Sequence, residues 1–327
     1  MNSFTLTTSK YRTAIMGLSM LSIMLFHQYF TSTIPFNFFH NFGYWGVDVF
    51  LFLSGMGLVN SLNYNSLKTY YSRRFNRIIP SCFLCGSVKY ILFILLGNTV
   101  AILKEGLNIG IWSIMSLDLW FIPTIIILYA ISPFLYMSLK KRTYLTFLFV
   151  IFVFFLNGFF IKPKIGYEWL SPLGILSWTT ERLPVFLLGM FWGIRKDWRD
   201  EKKQYYSYLF LIMAIGLILL EKIDISFQGM QACQYFTLML GMPSLITLST
   251  SFLKKLPNRL IQTFNFFGTY SLELYLVHEF VFWILIILFN DVNPFLLLSV
   301  GFIFSCISAY ICKTLVQKVT IIKNLRI

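Results

Sequence analysis

Apolar residues run along this chain in blocks of about 18 to 22, long enough at about 1.5 Å per helical residue to cross a hydrocarbon layer of about 30 Å. The blocks lie near residues 14–32, 43–62, 78–98, 118–138 and 143–161, and again near 182–194, 205–221, 231–253, 264–289 and 294–317. Membrane-barrel strands would show about ten residues of alternating polarity instead. The pattern therefore predicts an all-α, polytopic membrane protein of about ten transmembrane helices.

Charge gives this frame a direction. Basic residues gather between alternate blocks: Lys10 and Arg12; Lys68, Arg73, Arg74 and Arg77; Lys140, Lys141 and Arg142; Arg195, Lys196, Arg199, Lys202 and Lys203; Lys254, Lys255 and Arg259; and Lys313, Lys318, Lys323 and Arg326. Because positive loops stay inside, both termini are expected in the cytoplasm. The net charge of +14 then follows from topology and anionic lipid headgroups, and needs no nucleic acid partner.

Composition agrees: 57% of residues are hydrophobic and 12% charged, more apolar matter than one soluble core of 327 residues would bury. No soluble domain, repeat array or low-complexity tract interrupts the pattern, so residues 1–327 read as one membrane-embedded domain. The first apolar segment has no small-residue cleavage signature after it and is expected to remain as a signal anchor. The outer connection at 162–181 carries Tyr167, Trp169, Pro172 and Trp178 and is expected to be a partly folded interfacial loop. Cys82 and Cys85 form a C-x-x-C inside an apolar helix with no second ligand pair, so no metal site is expected.

Ionisable side chains are costly in a bilayer, and those that remain point to function. Candidates are His27, Asp48, Lys89, Asp118, Glu181, Arg182, Glu273 and His278. His27 lies fifteen residues after Arg12, about 22 Å along a helix toward the outer leaflet. A buried imidazole there suits a general base, or a structural hydrogen bond between helices. Asp48 stands in GYWGVDVFLFLSGMGL, whose small residues Ser54, Gly55 and Gly57 permit close packing; it either orients an imidazole or caps its helix. On the cytoplasmic side, Arg73, Arg74 and Arg77 make an anion site. Arg74 and Arg77 share a helix face and are placed to grip phosphate jointly. Lys89, about 17 Å farther along the next helix, either extends the positive path or snorkels. Ser271, Tyr275 and His278 fall on one face of the ninth segment, and Tyr270 and Glu273 on another.

Six stretches in this order resemble the membrane acyltransferases of the acyltransferase 3 type. They are GLSMLSIMLFH ending at His27, GVDVFLFLSG from Gly46, YYSRRFNRIIP from Tyr70, LWFIP from Leu119 and containing Trp120, RLPVFLLGMFWG from Arg182, and GTYSLELYLVH ending at His278. The resemblance covers nearly the whole chain. It implies an O-acyltransferase in which His27 is the catalytic histidine and Arg74 and Arg77 engage an acyl-CoA donor, acetyl-CoA by default and succinyl-CoA as a variant. The acceptor it implies is a surface or envelope polysaccharide or its lipid-linked precursor, at a bacterial plasma membrane. The donor is a substrate, with no permanently bound cofactor.

One position departs from the family. An arginine usually stands eleven residues before the histidine; here that residue is Met16, and Arg12, one turn nearer the cytoplasm, is the candidate substitute. Asp48 is expected to orient the imidazole, and Arg182, Tyr270 or Ser271 to stabilise an oxyanion, with Glu273, His278 and Trp120 as further polar lining. Arg73 and Lys89 extend the donor path. A covalent acyl-histidine is the alternative chemistry. The rival from another class is a transporter or flippase using His27, Asp48 and Glu273 as a proton relay, and a third reading is a membrane scaffold or sensor. The arginine cluster separates these readings, since a CoA-dependent enzyme needs it and a carrier does not.

Overall fold

A computed structural model of the chain describes residues 4–27, 43, 45–95, 119–162, 171–195, 230–289 and 293–325, together with positions 205, 208, 212 and 215. Most of the segment expected near 205–221, and also Asp118, Tyr167 and Trp169, lie outside the described residues. Among the described residues all regular structure is helical. The helices are α1 (Phe4–Phe26), α2 (Trp45–Tyr64), α3 (Leu67–Leu95), α4 (Phe121–Lys141), α5 (Thr143–Leu156), α6 (Pro172–Ile194), α7 (Met230–Lys254), α8 (Asn258–Thr269), α9 (Ser271–Leu288) and α10 (Pro294–Leu325). A π-helical turn, Asn157–Ile161, extends α5.

Among the described residues, five helical stretches are long and apolar enough to cross a membrane: Trp45–Tyr64, Phe121–Lys141, Thr143–Ile161, Ser271–Leu288 and Phe295–Lys318. Their outward faces carry Phe134, Phe149, Phe152 and Phe304, all more than half exposed on the isolated chain. Hydrocarbon is the solvent such a surface requires.

Close approach of backbones builds the centre. A Cβ on Gly55 of α2 would strike the Phe186 carbonyl of α6, and one on Gly189 of α6 would strike the Phe52 carbonyl of α2. The two helices therefore touch backbone to backbone, as small residues permit in membranes. The same device joins α1 to α8, where Gly17 lies on the Phe264 carbonyl and Gly268 on the Thr13 carbonyl. Phe52, Phe186 and Trp192 fill the space around the first crossing and are essentially inaccessible.

Two sequence expectations need correction. The connection expected at 162–181 is helical from Pro172 onward: Ser171 caps α6 by accepting the Gly174 amide at 3.0 Å, and Pro172 takes the first helical position, where its missing N–H costs nothing. The expected segment 264–289 is two helices. The amphipathic α8 ends at Thr269, and Tyr270, with φ −100° and ψ 12°, turns the chain into α9.

Candidate active site

The arginines expected to bind the donor sit on α3, which begins after Ser66, whose Oγ accepts the Thr69 amide at 3.3 Å. Helical geometry puts Arg74 and Arg77 on one face. Arg74 lies 5.9 Å from the ring centroids of both Tyr70 and Tyr129, and Tyr70 is itself fixed by donating to the Tyr129 carbonyl at 3.2 Å. From α1, Arg12 reaches toward the same place, donating through Nη2 to the Leu53 carbonyl at 3.5 Å and lying over Gly57.

Together the three guanidiniums line a cavity of about 60 Å³, whose walls include Met16, Ile23, Phe50, Phe121, Tyr129 and Tyr275. Ser54 and Ser271 also line it. Among the described residues, no carboxylate lies within 4.0 Å of Arg12, Arg74 or Arg77, and the buried Nε atoms of Arg12 and Arg74 have no hydrogen-bond partner. Guanidinium groups without a carboxylate partner put positive charge on the wall of an otherwise largely apolar cavity.

Two histidines lie just beyond residues that line the cavity, without lining it themselves. Ile23 lines it one turn before His27 on α1, and Tyr275 lines it three residues before His278 on α9. The imidazoles meet: His278 Nε2 is 3.0 Å from His27 Nδ1. His278 Nδ1 lies 2.9 Å from the Leu274 carbonyl and 3.0 Å from that of Tyr275, and His27 Nδ1 lies 3.1 Å from the Ile23 carbonyl. His278 is 1% exposed.

Other expected site residues fall elsewhere. Asp48 does not orient His27: both of its carboxylate oxygens accept from Arg182 Nη1 at 2.8 Å, in a pair with Asp48 fully buried and Arg182 3% exposed. Arg182 is accordingly a buried counter-ion, held 5.2 Å from the Trp120 ring, which stacks on Trp178 with centroids 4.9 Å apart. Tyr270 packs against Phe266 and Tyr310 with Lys313 4.7 Å above its ring, outside the cavity lining, so of the three candidates for oxyanion stabilisation only Ser271 faces the cavity. Glu273 accepts a hydrogen bond from Ser81 at 3.0 Å, a contact that ties α9 to α3. Arg73 is exposed and Lys89 half-buried, and neither lines the cavity. No group of three or more metal-ligating side chains occurs among the described residues.

Sequence alone did not reveal the Lys162–Glu181 ion pair at 2.6 Å, the cavity positions of Tyr129 and Ser54, or the direct contact of the two histidines. Only the last had a signal, two polar stripes on α9, and that signal named no partner.

A family model described as an acyltransferase domain, of the acyltransferase 3 type, matches residues 14–314. Searches among curated proteins and among solved structures found no match.

Proposed function

The chain belongs to this family of acyltransferases and is a multi-pass membrane protein; from that premise we propose that it moves an acyl group, acetyl by default, from acyl-CoA to a hydroxyl of an envelope glycan or its lipid-linked precursor. The observation that carries this reading is a cavity lined by Arg12, Arg74 and Arg77 and also by Ile23, one turn before His27 on the same helix. Both termini and the arginine cluster face the cytoplasm in the ten-helix arrangement, and the cell membrane is a bacterial plasma membrane.

In this mechanism the phosphates of the donor rest on Arg12, Arg74 and Arg77, and the pantetheine arm lies along the apolar wall toward His27. Imidazole Nε2 takes the proton of the acceptor hydroxyl as its oxygen attacks the thioester carbonyl, a general-base contribution of about 10² to 10⁴ in rate. Ser271 is a cavity hydroxyl placed to donate to the oxyanion. Collapse of the tetrahedral species breaks the C–S bond, and the departing thiolate takes the proton back from the imidazolium. Products are an ester and free CoA.

The transporter reading needs His27, Asp48 and Glu273 in one relay. Asp48 is committed to Arg182 and Glu273 to Ser81, two separate contacts rather than one relay with His27, which favours the enzyme. The test is mass spectrometry of envelope glycans from cells carrying the wild type or His27→Ala, matched for protein in the membrane. Acyl ester that depends on His27 is expected. Equal acylation in both strains would overturn the assignment.

A further inference from the structure

We infer that His278 is a positioning residue for the acyl transfer: its Nε2 accepts the Nδ1–H of His27 and so leaves the His27 lone pair on Nε2, the atom that acts as base. The inference rests on the proposed role of His27, but its structural half does not need any reaction to occur.

A carbonyl oxygen only accepts, so His278 Nδ1, within 3.0 Å of the Leu274 and Tyr275 carbonyls, must carry a proton. A second proton on Nε2 would make a cation in a site that is 1% exposed, with no carboxylate within 4.0 Å among the described residues. That charge is disfavoured by desolvation. His278 is therefore neutral, and its Nε2 lone pair points at His27 Nδ1, 3.0 Å away. His27 Nδ1 must then be the donor. The Ile23 carbonyl, 3.1 Å from the same Nδ1, makes the same demand independently. Two acceptors on one nitrogen fix the proton there, and the basic lone pair falls to Nε2.

The Ile23 carbonyl alone would select the tautomer, but it lies one turn back on the same helix and does not tie the ring to a second element. His278 does so, from α9, and its own ring is clamped by two carbonyls. When Nε2 takes a proton, the Nδ1–H of the imidazolium becomes a stronger donor and its hydrogen bond to His278 strengthens. This is the task a carboxylate performs in a catalytic triad. Here Asp48, the carboxylate expected in that role, is held by Arg182, and a neutral imidazole takes its place. Among the described residues, rings contacting the pair include Phe26, 5.0 Å from His27, and Tyr275 and Phe282, 5.9 Å and 6.5 Å from His278; of these three, Tyr275 alone titrates.

The chain has three histidines, so 15N-histidine labelling of the reconstituted protein gives a spectrum assignable by single substitution. His27 is expected to show a protonated Nδ1 and an unprotonated Nε2 without any substrate present; the opposite tautomer would overturn the inference. In transfer assays, His278→Leu is expected to lower kcat about 100-fold with KM for acetyl-CoA unchanged, because the donor phosphates bind at the arginines. The acidic limb of its pH profile should move to lower pH, since an imidazolium without its acceptor loses its proton more readily. His278→Gln, which keeps an acceptor oxygen facing His27, should recover most of the loss. If Leu and Gln variants are equally impaired with an unshifted pH limb, His278 is structural only. A wild-type protein that transfers nothing would refute the reading of function, while the tautomer measurement still decides this inference.

Discussion

Replacing Arg12 with methionine removes the arginine that α1 contributes to the cavity and tests whether it serves where the family resemblance leads one to expect a charge at Met16. Arg12 Nε is buried without a hydrogen-bond partner, and its Nη2 makes one long bond, 3.5 Å, to the Leu53 carbonyl. Little of its donor capacity is spent on the protein. A charge-assisted hydrogen bond to a phosphate contributes about 1.5 to 3 kcal/mol, and each 1.4 kcal/mol is about tenfold in affinity. Arg12→Met is therefore expected to raise KM for acetyl-CoA about 10- to 100-fold with kcat within about threefold of wild type, because the loss is of ground-state binding. The assay is thiol release from reconstituted protein over a range of donor concentrations, with the elution profile as a check on folding. Met16 lines the same cavity one turn nearer His27, so Arg12→Met combined with Met16→Arg should recover much of the affinity. An unchanged KM in the single variant would refute the assignment of Arg12 to the donor.

Three further outcomes follow from the packing. Asp48→Ala leaves the Arg182 charge buried without its carboxylate and should cost about 3 to 5 kcal/mol, read as a lowered melting temperature in detergent whether or not donor is present. Gly189→Leu should prevent α2 and α6 from meeting at the Phe52 carbonyl, and the protein should fail to accumulate in membranes; Gly189→Ala should show a weaker form of the same defect. Ser81→Ala takes the donor from the buried Glu273 and is expected to cost about 1 to 3 kcal/mol in stability with KM for the donor unchanged.

The sequence was most legible where one residue type is confined by the bilayer. Arg74 and Arg77 stand three apart in a helix, so their shared face followed from periodicity, and the cavity contains both. His27 stood out because an imidazole far along an apolar segment needs a reason. Less legible were pairings across long separations, which depend on how helices dock. Asp48 reads locally as a helix cap or an imidazole partner, and only the glycine-mediated contact of α2 with α6 brings Arg182, 134 residues away, to its oxygens. His27 and His278 are 251 residues apart, and the contact rests on α1 and α9 lying side by side. The break at Tyr270 was hidden because α8 carries enough apolar residues on one face to merge with α9 in a hydropathy window. The start of α6, by contrast, was available as Ser171-Pro172, a capping residue followed by a first-turn proline, and the aromatic composition around it outweighed that signal.

The central claim is that one cavity carries an acyl group from a donor held by arginines to an acceptor activated at His27. Proteoliposomes settle it when acetyl-CoA labelled in its acetyl group is supplied to one face only and lipid-linked glycan from the host envelope is present in the bilayer. The account predicts stoichiometric release of CoA thiol and labelled glycan ester for donor on the face bearing Arg74 and Arg77, with both signals lost in His27→Ala. Ester formation that survives in His27→Ala, or that proceeds equally from either face, would contradict it.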